Sequence, residues 1–235
     1  ELYKKIPEYK EQNFNMTLSE FKIIFWWEWG HRQLGRVIGL TVLFPMVYFT
    51  FRNGIWILKE YSIIFLLVCF QGFIGWYMVK SGLVNDVTVS HYRLSLHLST
   101  ALIIISSIFW LIINIKNNTH KGFFNVAKKN IIFQILFFLI LLQVILGAFV
   151  SGLDAGKIYQ TWPLMGQSFV PNDLILKNFN NIFDFTNHSL VQFYHRNLAY
   201  LIIFYALALT LFIFSKKISE LYKPLFIVIF FLSLQ

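Results

Sequence analysis

Charged residues and cysteines are both scarce in this sequence. Asp, Glu, Lys and Arg make up only 13% of the 235 residues, whereas an ordinary soluble domain contains about 25%. The single cysteine, Cys69, excludes an internal disulfide, a paired-cysteine metal site and a c-type haem attachment motif. The sequence therefore has neither the composition of a soluble domain nor that of a disulfide-stabilised one.

Apolar residues are abundant instead. Hydrophobic residues make up 57% of the chain, aromatic residues 19%, and the mean hydropathy is +0.61. This composition predicts an integral membrane protein. In such a protein the net charge of +9 is explained by basic cytoplasmic loops that face anionic lipid headgroups, so we expect membrane lipid and no nucleic acid among its partners.

Five long apolar runs and the start of a sixth organise the chain. Each complete run is long enough for the roughly 20 residues of a membrane-spanning helix. All-round apolarity rich in Phe, Ile and Leu favours helices over the alternating pattern of barrel strands. The predicted fold class is an all-α polytopic membrane protein, with apolar runs at residues 24–50, 57–79, 94–115, 131–153 and 190–214 and from 224 onward.

The distribution of basic residues predicts how these helices cross the membrane. Lys and Arg concentrate in alternate short connections, which the positive-inside rule places in the cytoplasm. The first, third and fifth runs then cross in the same direction, and His31, His97 and His195 each lie near the outer start of one of them. The basic connections are residues 51–60, 116–130 and 215–223.

The long connection at residues 154–187 is predicted to fold as a cap over the outer side. It contains Tyr159, Trp162 and Met165, an apolar and aromatic content unlike that of a flexible linker. The alternative is that these aromatic residues form only an interfacial belt.

An internal repeat relates two parts of the chain. Glu28, His31 and Arg32 return in the same spacing as Gln192, His195 and Arg196, and Leu34 and Leu198 match in the same ungapped register. Because the equivalent helices run the same way, we expect two tandem, pseudo-symmetric four-helix bundles related by an axis along the membrane normal. The full protein would then have about eight spans, and this chain divides into domains 1–128 and 129–235.

Histidines facing inward at one depth in a helix bundle are typical of bis-imidazole haem sites. His31 with His97 would ligate one haem iron, and His195 would ligate a second with a histidine beyond the end of this chain. Each histidine alone could equally be a hydrogen-bond partner between helices. Residues near the same level could hold the haem propionates or support the site, namely Arg32, Arg36, Arg93, Arg196 and Gln192.

The change from Glu28 to Gln192 distinguishes the two bundles. A di-iron carboxylate site would need the Glu-x-x-His motif on both helices and two further carboxylates, and the second copy carries Gln192. Glu28 lies one turn from His31, where it could act as a general base or stabilise positive charge. The alternative is that Glu28 only pairs with Arg32 at i, i+4.

Six segments carry a resemblance to a known family. They are residues 20–32, which end in EWGHR, residues 75–83, 89–97 and 147–156, TWPLM at 161–165 and QFYHR at 192–196. The sequence resembles the haem A synthase family, in its alphaproteobacterial and mitochondrial branch, which lacks paired loop cysteines. Gln160 stands where that family's loop motif is expected to have Asn.

The resemblance implies an eight-helix oxidoreductase of which this chain lacks the first and last helices. It implies that the C8 methyl of haem O is oxidised to a formyl through successive hydroxylations, giving haem A for cytochrome oxidase. By this resemblance Glu28 is catalytic, His31 and His97 flank the iron of the substrate haem O, and His195 ligates the iron of a haem b cofactor. Haem O synthase and an electron acceptor are implied partners, and a homo-oligomer is compatible with this picture. The implied location is the inner membrane of a bacterium or of a mitochondrion.

Two other functions stay open at this point. The first is a di-haem b-type electron-transfer protein without substrate chemistry, against which the difference between Glu28 and Gln192 argues. The second is a transporter or a purely structural membrane protein, which would bind no haem. Matched interruptions of the spans, which transporters often have in their two halves, are not found in this sequence.

Overall fold

The computed structural model describes residues 2–53, 59–82, 87–119, 131–174 and 179–234. These residues contain helices joined by loops and short 3₁₀ turns, and no named β-strand, which confirms the all-α prediction. The helices are α1 (Pro7–Glu11), α2 (Leu18–Asn53), α3 (Lys59–Gly82), α4 (His91–Lys116), α5 (Ile131–Gly152), α6 (His188–Ser215) and α7 (Tyr222–Leu234).

Five of these helices are long and apolar enough to cross a membrane, so the prediction of a multi-pass membrane protein is confirmed. The sixth predicted run forms α7, which begins two residues before the predicted position. The direction in which each helix crosses stays a prediction, and several lysines of the connection 116–130 that bear on it lie outside the described residues. The spanning segments are Leu18–Arg52, Glu60–Gly82, His91–Lys116, Ile131–Gly152 and His188–Ser215.

Helix α2 begins well before the apolar run that predicted it. The Glu20 carboxylate accepts hydrogen bonds from the Thr17 backbone N–H at 2.8 Å and from the Thr17 hydroxyl at 2.7 Å. This capping arrangement satisfies groups that a helix start leaves without partners. The polar first turn is therefore helical, although its hydropathy alone would place it outside the span.

The chain divides into two compact units, residues 1–123 and 124–235. In the first unit α3 packs against both α2 and α4. The buried side of α4 is largely polar and includes Ser95, Ser99 and Ser107, small side chains that allow close approach of membrane helices. The predicted boundary between residues 128 and 129 lies outside the described residues and stays a prediction.

In the second unit α5 packs along α6, and α7 adds to the same apolar cluster. The Tyr205 hydroxyl donates to the Ile132 carbonyl at 2.8 Å and ties α6 to the start of α5. Together these contacts hold α5 and α6 side by side over their length, which fixes the position of His195 on α6. The buried members of the cluster are Leu136, Ile202, Leu209, Ile213 and Leu225.

Candidate haem-ligating site

The first unit brings two of the predicted ligands together. The rings of His31 on α2 and His97 on α4 have centroids 6.4 Å apart and planes at 65°. Bonds of about 2 Å from a metal ion to each imidazole nitrogen would place the centroids of two axial ligands about 6 Å apart. The spacing of His31 and His97 therefore fits a haem iron held between them.

A neighbouring helix holds His97 by its backbone and by its ring. The Gln71 side-chain amide, on α3, donates to the His97 backbone carbonyl at 2.9 Å, and its nitrogen lies 3.4 Å from the ring Nε2. One turn along α3, Gly75 faces the same ring, and a Cβ at this position would lie 2.9 Å from the His97 Cε1. Any other residue at Gly75 would displace the imidazole.

The second unit repeats this arrangement around His195. The Gln143 amide, on α5, donates to the His195 backbone carbonyl at 3.2 Å and lies 3.4 Å from the ring Nε2. A Cβ on Gly147 would lie 3.2 Å from the His195 Cε1. The two histidines thus have matching surroundings, although their contacts come from different parts of the sequence.

The residue type and position of these glutamines do not by themselves mark them as part of the site. The related segments beginning at Gln71 and Gln143 are visible in the sequence, and in both a glycine follows four residues later. That spacing places the glutamine and the glycine on one face of a helix. The shared spacing is the feature of the sequence that indicates a similar contact in both units. By contrast, a Cβ on Gly35, Gly39 or Gly72 would meet nothing within 4 Å in the described part of the chain.

Glu28 forms an ion pair with Arg32, with Oε2 and Nη2 2.9 Å apart. The contact that the alternative interpretation of Glu28 predicts is therefore present, and the catalytic function of Glu28 stays a prediction. Both side chains are more than half exposed, so the pair contributes between about 0 and 1 kcal/mol to stability. A weak exposed pair does not prevent the carboxylate from reacting, and Glu28 lies one helical turn before His31.

The equivalent residues of the second unit have different contacts. Gln192 is buried and donates to the Tyr159 carbonyl at 2.8 Å, and Arg196 donates to the Thr161 carbonyl at 2.8 Å. The two positions that form an exposed ion pair in the first copy of the repeat therefore bind the loop backbone in the second copy. In this structure the Gln192 side chain is therefore used to hold the backbone of the loop.

The remaining basic candidates lie on the first unit. Arg93 is partly buried one turn before His97, with its guanidinium carbon 5.1 Å from the centre of the Tyr77 ring. Arg36 is exposed on α2, one turn beyond Arg32. Their assignment to the haem propionates stays a prediction.

The loop that follows α5 is folded against the start of α6. Ala155, Met165 and Pro171 are almost completely buried. The Asp173 carboxylate accepts hydrogen bonds from the Tyr159 hydroxyl at 2.6 Å and from the Ser189 hydroxyl at 2.5 Å. Asp173 thus joins the middle of the loop to both its beginning and the first turn of α6.

These hydrogen bonds change the acidity of both partners. Partial burial of Asp173 acts to raise its pKa, but the bonds from Ser189 and Tyr159 outweigh burial and leave the pKa below its ordinary value. The hydrogen bond to Asp173 also raises the pKa of the Tyr159 phenol. Because the folded-state pKa of Asp173 is lowered, its stabilising effect is present above the ordinary carboxyl pKa of about 3.9 and is lost as the pH falls below it.

Replacement of Asp173 with Asn should loosen the loop. We expect its attachment to weaken by about 1 kcal/mol, a value reduced for the exposure of the carboxylate, so that limited proteolysis of the loop accelerates about fivefold at neutral pH. The wild type should approach the variant's rate only below about pH 4. Asp154→Asn is the matched control, because within the described part of the chain the Asp154 side chain forms an exposed ion pair with Lys157 and does not contact the rest of the loop. Equal rates for the two variants would contradict this role of Asp173.

Together these features define a multi-pass helical membrane protein with histidines held at helix contacts in each unit and suited to ligate haem. The whole chain, residues 1–235, matches the family described as cytochrome oxidase assembly protein, COX15-CtaA. The chain belongs to this family.

Several curated relatives are similar over most of the chain. The protein named Heme A synthase from Pelagibacter ubique is 47% identical over 226 residues, which cover 95% of this chain and 66% of the relative. The Heme A synthase of Agrobacterium fabrum is 43% identical over 85% of this chain and 55% of its own length. That of Rickettsia bellii is 41% identical over 95% and 68%. The chain thus spans between about half and two thirds of the length of these relatives. No solved structure matches the chain.

Proposed function

We propose that this protein makes haem A by oxidising the C8 methyl of haem O to a formyl through successive hydroxylations. The relatives named Heme A synthase support this activity. The observation that carries it in this chain is the approach of His31 and His97 to 6.4 Å, with Glu28 one turn from His31. The second unit has a similarly held histidine but Gln192 in place of that carboxylate.

In the first unit His31 and His97 would bind the iron of the substrate haem O. They would hold its iron between α2 and α4, on the side of α2 that also carries Glu28 one turn before His31. Glu28 would take up a proton as the methyl is oxidised, or stabilise the positive charge that develops there. Arg32, which contacts Glu28 at Oε2, would hold the carboxylate in place.

In the second unit His195 would bind the iron of a haem b cofactor. The bound haem supplies one-electron transfer. Gln192 and Arg196 hold the loop backbone against α6, and Gln143 and Gly147 hold the His195 ring. With a neutral Gln192 this unit would have no carboxylate beside its ligand, which suits a site that only transfers electrons.

The reaction implies partners and a location. With water as the source of the oxygen, each hydroxylation releases two electrons and two protons, so the protein would need an electron acceptor. Haem O synthase would supply the substrate. We place the protein in the bacterial inner membrane, in contact with lipid, because the matched relatives named above are bacterial. A mitochondrial inner membrane would suit the same site.

Extraction and chromatography of haems test this function. The full-length protein would be expressed in membranes that also contain a source of haem O, with membranes lacking the protein as the control. We expect haem A to appear only with the protein, together with retained haem b. Haem b alone, with haem O unchanged, would contradict the synthase function and favour the di-haem electron carrier.

A further inference from the structure

The loop that follows α5 crosses α6 beside the predicted ligand of haem b. The Gln192 side-chain amide donates to the Tyr159 carbonyl at 2.8 Å, and the Arg196 guanidinium donates to the Thr161 carbonyl at 2.8 Å. Gln192 lies three residues before His195 on α6 and Arg196 one residue after it, so both lie within one helical turn of the ligand. The loop backbone is therefore held against α6 at the level of His195.

Contacts within the loop and with the first turn of α6 hold the loop in the same position. The Asp173 carboxylate accepts hydrogen bonds from the Tyr159 hydroxyl at 2.6 Å and from the Ser189 hydroxyl at 2.5 Å. Tyr159 is thus held both by its backbone carbonyl and by its side chain. Met165, in the middle of the loop, is almost completely buried. Because several contacts must break together before the loop leaves α6, its open state has a low population.

In the described part of the first unit the equivalent positions hydrogen-bond only to each other. Glu28 and Arg32 lie 2.9 Å apart, and both side chains are more than half exposed. His31 is also exposed, whereas His195 is partly buried. A carboxylate has no N–H to donate, so Glu28 could not bind a loop carbonyl as Gln192 does. The face of α2 that carries Glu28 is thus open, whereas the corresponding face of α6 is covered by the loop.

This difference matters because the two proposed haems have different fates. A substrate haem enters its site and a product haem leaves it in every catalytic cycle, whereas a cofactor haem stays bound through many cycles. A ligand beneath a closed loop leaves only when the loop opens, so a low population of the open state slows its release. A firmly held loop therefore suits the cofactor, and an open helix face suits the substrate.

We propose that Gln192, Arg196 and Asp173 hold the loop closed over the His195 site and thereby make its haem a retained cofactor, while the open face of α2 lets haem exchange at His31. This inference rests on the proposed function. Gln192 and Asp173 are positioning residues in this proposal, because they act through the loop and do not touch the haem. The change from Glu28 to Gln192 then has two consequences, the loss of a carboxylate and the gain of a donor that holds the loop.

The rates at which the two haems leave the full-length protein test this inference. Detergent-solubilised protein that contains haem b and haem O is kept without an electron acceptor, so that haem O is not converted. It is then mixed with excess apomyoglobin, and the transferred haems are identified by chromatography. We expect the wild type to release haem O at least about 10-fold faster than haem b, because loop hydrogen bonds must break only for the release of haem b.

Gln192→Glu gives the second copy the residue of the first and removes the amide donor. We expect haem b to leave about 10-fold faster and proteolysis of the loop to accelerate with it. The absorption spectrum of bound haem b and the release of haem O should stay as in the wild type, since the ligands are unchanged. Gln167→Glu makes the same chemical change at an exposed residue of the same loop and should release haem b at the wild-type rate.

Asp173→Asn loosens the loop without changing the face of α6 that carries His195. It should release haem b about fivefold faster than the wild type and haem O at the same rate. This variant carries the test if Gln192→Glu does not fold. A merely structural role for these residues would change protein stability without changing the release of one haem and sparing the other.

The outcomes separate this inference from the proposed function. Haem b release that stays at the wild-type rate while loop proteolysis accelerates would overturn the inference, even if the wild type makes haem A. Equal release of the two haems by the wild type would also overturn it. A wild type whose haem b release depends on the loop, but which leaves haem O unchanged during expression, would overturn the proposed reaction and support retention of haem b. A wild type that binds no haem would overturn both.

Discussion

Replacement of Glu28 with Gln should abolish haem A formation while leaving haem bound. The substitution keeps the shape of the side chain and removes its charge and its capacity to accept a proton. General acid–base catalysis contributes a factor of about 10² to 10⁴, so we expect haem A to form at least about 100-fold more slowly. The measurement is the ratio of haem A to haem O in extracts of membranes that contain the full-length variant.

Two controls separate the carboxylate from its contacts. Glu20→Gln changes the same residue type on the same helix. The Glu20 carboxylate accepts hydrogen bonds from the Thr17 backbone N–H and hydroxyl at the start of that helix. The substitution should loosen only the first turn of α2, without changing the product. Arg32→Gln removes the ion pair but keeps the Glu28 carboxylate, so it should retain far more activity than Glu28→Gln. Equal activity of the Glu28→Gln variant and the wild type would contradict a catalytic function for Glu28.

Replacement of His195 with Ala should remove the haem b signal and stop the conversion of haem O. The variant would lack the proposed iron ligand, and the Gln143 amide would lose its ring partner. The first unit keeps His31 and His97, so we expect haem O to stay bound. It should stay unreacted because no haem b is present to accept the electrons that its oxidation releases. The measurements are the reduced-minus-oxidised spectrum for haem b and chromatography for the haem O that remains.

His188→Ala is the matched control on the same helix. His188 is the exposed first residue of α6, seven positions before His195. Its loss should leave the spectrum and the product unchanged. A His195→Ala variant that still shows the full haem b signal would contradict the assignment of this ligand.

The helices and the His31–His97 pair could be predicted because both depend on strong local signals. An apolar run of about 20 residues has few alternatives to a membrane helix. Ionisable residues are energetically costly inside a membrane, so those near the start of such runs are candidates for function. Two of these residues, His31 and His97, have ring centroids 6.4 Å apart in the structure.

The surroundings of the histidines were harder to predict. The contacts of Gln71 and Gln143 end on backbone carbonyls, and every residue supplies such a carbonyl. No pairing of side-chain types therefore marks the contact in the sequence. The same holds for Gln192 and Arg196, whose hydrogen bonds to the loop backbone could not be distinguished from propionate binding by residue type alone.

The beginning of α2 shows a further limit of hydropathy. Its first two turns contain Ser19, Glu20 and Lys22, which lower the apolarity of the window without opposing the helix. The Thr17–Glu20 capping contact is a separate signal. A search for capping boxes alongside the apolar runs would have placed the helix start correctly.

A structure of the full-length protein with haem O bound would test the central claim most directly. The claim is that the first unit is the reaction site and that its iron lies between His31 and His97. We expect the haem O iron to be ligated by both rings, with the C8 methyl on the side of Glu28 and haem b on His195. Haem O ligated by His195, or a methyl directed away from Glu28, would contradict the account.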